Sequence, residues 1–172
     1  QISPVLVADP SHETLRAAVR EKHPSVCWID KPAGMGVPAA FNLGCKHAAT
    51  QGADFVFCAL GYTTFEKDML SQLARVAQRD PEAGILTPKI LYASQPDRIW
   101  SIGMRFRRFP PSTKNIGTGC KDGQSYAESR EVEFAVSCGL LIKLETLEKA
   151  GLFDPGYAFY YDPGANGYPI RL

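Results

Sequence analysis

Phe55-Val56-Phe57-Cys58-Ala59-Leu60 is a six-residue run with no charged or amide side chain on either face. A strand open to water on one side alternates apolar with polar residues, so a run without alternation marks a strand covered on both sides. Before it, Ala39 to Thr50 has helical composition and Gly52 supplies a stop, while Lys31 to Pro38 holds two prolines and two glycines and reads as a loop. Further back, Val26 to Ile29 is a second apolar run. Thr14 to Lys22 places Leu15, Ala18 and Val19 on one helical face and is closed by His23-Pro24. The first segment, Ile2 to Ala8, carries Val5, Leu6 and Val7 and breaks at Asp9-Pro10-Ser11. The order is β-α-β-α-β, which predicts an α/β fold with a mostly parallel sheet and flanking helices. In such sheets ligands gather at loops leaving the carboxyl ends of the strands, here Asp9 to Glu13, Lys31 to Pro38 and Gly61 to Thr64.

After that rim, Lys67 to Gln78 puts Leu70, Leu73, Val76 and Ala77 on one helical face, and Arg79-Asp80-Pro81 ends it. Ile85 to Thr87, Ile90 to Tyr92 and Ile99 to Ile102 are short strand candidates. Between Pro110 and Arg130 there is almost nothing apolar, which predicts a long mobile loop or a partner-dependent flap. Strand character returns at Val132 to Val136 and Leu140 to Ile142, and Leu144 to Ala150 is a short helix stopped by Gly151. With no repeat and no linker, residues 1–172 read as one domain with a small mixed-sheet extension.

A chain of 172 residues hides about 70% of its unfolded surface, enough for one core. Nineteen Lys and Arg against eighteen Asp and Glu leave a net charge of +1, which argues against a nucleic-acid or membrane-surface protein, since neither sign is in excess to attract it to phosphates. Arg105-Phe106-Arg107-Arg108-Phe109 is a short basic and aromatic run. It is read first as an edge strand with cations turned to solvent and only second as a phosphate-binding and stacking module. No apolar run reaches the ~20 residues of a membrane span, so the expectation is a cytoplasmic protein without a transmembrane segment. Five cysteines, Cys27, Cys45, Cys58, Cys120 and Cys138, form no Cys-x-x-Cys, and the three histidines have no metal-ligand spacing to a cysteine pair. They read as reduced thiols, mostly buried. Trp28 and Trp100 lie in strand-like runs and read as core.

Ordered segments of the chain resemble the family-two glycosyltransferases. They are Asn42-Leu43-Gly44 with Gly52-Ala53-Asp54-Phe55-Val56, Phe65 to Leu70, Gly84 to Tyr92, Asp97 to Gly103, Arg130 to Phe134 with Ser137-Cys138-Gly139-Leu140-Leu141-Ile142, and Leu147 to Asp154. The resemblance is to the rhamnosyltransferase-like members. It implies a GT-A-like fold, a nucleotide-diphospho-sugar transferase sheet that is mostly parallel, and transfer of a sugar from a nucleotide-diphosphate donor to a glycan hydroxyl with inversion. It also implies three site elements: an acid at an early strand end on the nucleoside, a divalent metal on the diphosphate, and a carboxylate base for the acceptor.

Carried over residue by residue, Val7-Ala8-Asp9-Pro10-Ser11 is similar to the family's Val-Asp-Asn-Ala-Ser turn, which makes Asp9 and Ser11 nucleotide-binding candidates. Asp9 reads equally well as a plain turn residue before a helix. Lys31-Pro32-Ala33-Gly34-Met35-Gly36 resembles the family's Asn-Pro-Glu-Asn-Leu-Gly loop and adds Gly36 and, beyond it, Asn42. Ser137, Cys138 and Gly139 fall on the acceptor side. Phe159-Tyr160-Tyr161-Asp162 is similar to the aromatic run before the family's paired acids, so Asp162 is the candidate base, with Pro163 in the second acidic position. The family's Asn-Asn-Asp-Thr metal motif is replaced by Leu60-Gly61-Tyr62-Thr63. A magnesium or manganese ion is the family's cofactor, but its ligand position holds Tyr62, a poor ligand for a hard cation, and no metal ligand is assigned. Against the family pattern the chain reads as incomplete at both ends. The alternative to an active transferase is a non-catalytic relative that binds a glycan or protein. Either is compatible with a cytoplasmic location peripheral to the inner face of a membrane.

Overall fold

The computed structural model describes residues 2–156. Val5–Ala8 (β1) and Cys27–Asp30 (β2) pair in parallel, joined by the helix Glu13–Lys22 (α1). Glu13 in the first turn of α1 and Arg20 and Lys22 in its last complement the helix dipole, which supports a helix that buries no residue fully. The helix Val37–Thr50 (α2) follows, with Pro38 in its first turn, where a missing N–H costs nothing. It buries Pro38, Phe41 and Cys45. The chain leaves it through Gly52, whose φ of +67° suits glycine.

Phe55–Ala59 (β3) comes next, then the helix Met69–Arg79 (α3), which buries Leu73 and Ala77, then Ile85–Leu86 (β4). Ile90–Tyr92 (β5) pairs with Gln95–Ser101 (β6), and Met104–Arg108 (β7) with Pro111–Asn115 (β8), both antiparallel. Gly139–Lys143 (β9) and the helix Leu144–Ala150 (α4) complete the described elements.

The central sheet is β3-β9-β4, antiparallel throughout, with Phe55 opposite Lys143, Ala59 opposite Gly139 and Ile85 opposite Ile142. This corrects the expected mostly parallel GT-A-like sheet: among the described residues β1 and β2 are the one parallel pair, and the other three sheets are antiparallel. A both-faces-apolar run reports burial on two sides, and a central antiparallel strand meets that condition as well as a parallel one. Gly139-Leu140-Leu141-Ile142 is still more apolar than β3, with all four residues buried, and it takes the middle of the sheet. Gly139 is required by contact: a Cβ there would stand 3.2 Å from the Phe57 ring and 3.4 Å from Pro88.

The core lies between this sheet and the helices. Phe41 and Cys45 from α2, Cys58, Ile142, Leu144, Leu147 and Phe153 pack together, and the Phe41 and Phe153 rings meet at 5.5 Å. Residues 110 to 130 do not form the expected flap. Their first part is β8, and the rest is pinned by Gly119 N–H to Ile99 O (2.8 Å), Asp122 N–H to Asp97 O (2.8 Å) and a Lys89–Asp122 ion pair at 2.7 Å. Residues 132 to 136 make a single bridge, Phe134 to Met104, instead of a strand, while Val136 and Ser137 are buried. No helix among the described residues is long and apolar enough to cross a membrane.

Candidate functional site

The parallel register sets Ala8 opposite Asp30, so the loops leaving β1 and β2 emerge side by side. The Lys31 N–H donates to Ala8 O at 2.8 Å and extends the ladder into the rim. In the first loop the Asp9 carboxylate accepts the Ser11 N–H at 3.0 Å, and the His12 N–H donates to Asp9 O at 3.1 Å, an Asx turn that feeds α1. The backbone and hydroxyl of Ser11 hold the Asp9 carboxyl below its ordinary value, assisted by the charges of Lys31 and His12.

In the second loop Gly34 adopts a φ of +79°, Lys31 Nζ donates to Met35 O, and Gly36 stands immediately before α2. No side chain caps the first turn of this fourteen-residue helix, and although Pro38 has no N–H, the N–H groups of Val37 and Ala39 open beside that loop as partial positive charge. Behind the rim, the Arg16 guanidinium lies 5.1 Å over the Trp28 ring and bonds to Asp30, which also accepts the Trp28 indole N–H at 2.9 Å. These two donors, Arg16 first, keep the Asp30 carboxyl below its ordinary value. The rim thus offers an ionised acceptor at Asp9, a cation at Lys31 and a helix N-terminus. That combination can accept hydrogen bonds from hydroxyl groups and hold an anion.

The third loop expected on the rim is not joined to the other two by strand pairing, because β3 pairs with β9 and not with β1. There the Thr63 N–H closes a turn on Leu60 O at 3.0 Å, and Tyr62 is 70% exposed. Beside it an apolar groove of about 320 Å³ is lined by Ile2, Phe57, Phe65, Met69 and Leu70, with Phe57 and Phe65 edge to face at 5.3 Å. No cluster of three or more His, Cys, Asp or Glu that could hold a metal ion exists among the described residues. Asp68 precedes α3 and bonds to Gln72 on the same helix. At this loop Tyr62 and Thr63 offer a phenol and a hydroxyl, which do not fit a hard divalent cation.

The remaining candidates are dispersed. The Asn42 side chain donates to Phe153 O at 2.7 Å and accepts the Phe153 N–H at 3.0 Å, so both ends of its amide hold the chain after α4 against α2. Ser137, Cys138 and Gly139 are buried at the start of β9, where Thr87 Oγ1 donates to Gly139 O at 3.0 Å and burial pushes the Cys138 thiol up. Asp162 lies outside the described residues. Sequence reasoning did not single out Lys31 or the Arg16–Trp28–Asp30 group; the readable signal was Asp30-Lys31, a charge pair closing an otherwise apolar strand.

The thiols are all unpaired as disulfides. Cys45 and Cys58 approach to 4.0 Å between sulfurs in the core, and Cys120 is exposed. Compared with family models and with curated proteins, the chain matches none.

Proposed function

We propose that the chain is a family-two-type glycosyltransferase domain whose β1–β2 rim receives the nucleoside diphosphate end of a nucleotide-sugar donor. The observation that carries this reading is the parallel register that sets Asp9 and Lys31 at adjacent strand ends, close to the N-terminus of α2. Asp9 accepts hydrogen bonds from hydroxyl or base N–H groups of the nucleoside. Lys31 and the first-turn N–H groups of α2 face the diphosphate, where charge-assisted bonds are the strong ones. Support comes also from the ordered segments that resemble the family from Asn42 to Asp154.

In the proposed reaction the Asp162 carboxylate takes the proton of a glycan hydroxyl. That oxygen attacks the anomeric carbon from the face opposite the leaving group, and the bond to the diphosphate breaks with its electron pair going to the phosphate oxygen. The configuration inverts. The donor's nucleotide chemistry goes with a cytoplasmic location, peripheral to a membrane's inner face.

A second reading is favoured by Tyr62, an exposed phenol where the family has its metal-binding acid: a non-catalytic relative that binds a glycan or protein. Calorimetric titration of the chain with uridine or thymidine diphosphate, with and without manganese, separates the two. Micromolar to millimolar binding that Lys31→Ala weakens about tenfold supports the donor site, since a charge-assisted bond is worth roughly 1.5 kcal/mol or more. Metal-independent binding with no sugar transfer selects the non-catalytic reading. Absence of nucleotide binding removes the donor site altogether. For catalysis, Asp162→Asn is expected to abolish turnover with little loss of stability, and unchanged turnover rules out Asp162 as base.

A further inference from the structure

The β7–β8 hairpin carries four cations, Arg105, Arg107, Arg108 and Lys114, and no acid. None of the four forms an ion pair among the described residues. The pairing register, Arg105 with Lys114 and Arg107 with Ser112, puts Arg105, Arg107 and Lys114 on one face of the ribbon. The other face begins at Met104, which is buried, so the three-cation face is the one turned away from the core. Like charges directly opposite across two strands are destabilising, so this placement gains nothing for folding. Glu133 bonds to the Phe106 backbone N–H in the middle of β7 but forms no ion pair with Arg105, Arg107 or Lys114 among the described residues.

At the tip Phe109 is 87% exposed, and Phe106 behind it is 49% exposed. An aromatic ring at the end of a finger, with cations behind it, is amphipathic along the finger's length. At ~3.3 Å per strand residue, Arg107 lies about 7 Å and Arg105 about 13 Å back from Phe109. Burying Phe109 about 5 Å into the headgroup and acyl boundary would leave Arg107 at the phosphates and Arg105 with Lys114 within about one Debye length of the surface. Aromatic side chains favour that depth, and anionic headgroups attract the cations behind them. A single-stranded nucleic acid fits less well, because a stacking ring must stand level with the cations that hold the backbone.

We propose that the β7–β8 hairpin is a docking finger for anionic bilayers, in which Phe109 enters the interface while Arg105, Arg107 and Lys114 bind lipid phosphates. The attachment is weak and reversible, as one short anchor implies. It stands independently of the nucleotide site, since it shares no residue with the β1–β2 rim.

The test is co-sedimentation of the full chain with phosphatidylcholine vesicles, with and without phosphatidylserine, across a salt series. Binding is expected only with phosphatidylserine, falling as salt rises. The triple variant Arg105→Gln, Arg107→Gln, Lys114→Gln should weaken it about a hundredfold, at roughly fivefold per cation. Phe109→Trp keeps every charge and, relative to the native tryptophans, should add blue-shifted emission on anionic vesicles. Equal binding to both vesicle types, no binding to either, wild-type affinity in the triple variant, or unchanged Phe109→Trp emission would each overturn the proposal. So would binding to an oligothymidylate without binding to vesicles, which would make the finger a nucleic-acid contact.

Discussion

The β1–α1–β2 unit and the β3–β9–β4 sheet are both built on mainly apolar strands, yet they are built to different depths. Every residue of β1 is half-buried and α1 buries none fully, whereas β9 is buried over four of its five residues and Ile142 and Val136 are completely enclosed. What holds the outer unit is polar and near its surface: the Arg16–Asp30 pair, the Trp28 contacts and the Asp9 turn. What holds the inner sheet is apolar packing and the Asn42 clamp on Phe153. Of the candidate residues, Asp9 and Ser11 lie on the shallow unit, and Ser137, Cys138 and Gly139 lie on the deep one. Local opening is easiest where buried apolar contacts are few, so a binding rim on the outer unit can adjust to a ligand while the inner sheet stays fixed.

That contrast is most severely challenged at Ile142. Ile142→Ala should cost about 3–4 kcal/mol in denaturant unfolding, because the site is fully enclosed between Val56 and Ile85 across two strand pairs. A loss below about 1 kcal/mol would mean that the inner sheet is not the stability centre. Next comes Asn42→Ala, which orphans a part-buried carbonyl and N–H and should cost about 2 kcal/mol. Full stability combined with lost nucleotide affinity would make Asn42 a ligand contact and not a clamp. In the outer unit, Arg16→Ala should lower local opening by only about 1 kcal/mol, read by amide exchange in β1 and β2. Asp30 is half exposed, which screens the pair and leaves stacking on Trp28 as the larger share. Exchange in β9 should not change.

Acid should loosen the outer unit by the smallest amount. Asp9 and Asp30 ionise more readily in the fold than at the ordinary value of 3.8. Their contribution is therefore fully present above that value and is lost as pH falls through the lower folded values. Trp28 emission, which reports on the ring bonded to Asp30, should shift in that acid window and not between pH 5 and 8. Asp30→Asn should remove most of the step.

The elements themselves were largely legible, because each depends on near neighbours. Helical spacing and glycine or proline stops placed α1, α2, α3 and α4 to within two residues, and Asp9-Pro10-Ser11 announced its turn. Partnerships were not, because they depend on distant chain. Phe55 to Leu60 could not say whether its neighbour would be β1 or a strand some eighty residues on, and β9 won that place through its own greater apolarity. Asn42 read as a polar residue near a rim, but its partner lies 111 residues away. Residues 110 to 130 carry few apolar side chains yet are held by backbone hydrogen bonds, which leave no mark on composition. The resemblance named a chemistry and its candidate residues, Asp9 among them; that Lys31, which it did not name, stands beside Asp9 follows from the pairing of β1 with β2.

Amide hydrogen exchange with and without uridine diphosphate tests the account most directly, because it reads the rim and the inner sheet in one experiment. Slower exchange is expected at Ser11, His12 and residues 31 to 36, with β9 unchanged, and Lys31→Ala should abolish the difference. No protection at those loops with nucleotide in excess, or protection confined to β9 and its neighbours, would contradict the placement of the binding site on the β1–β2 rim.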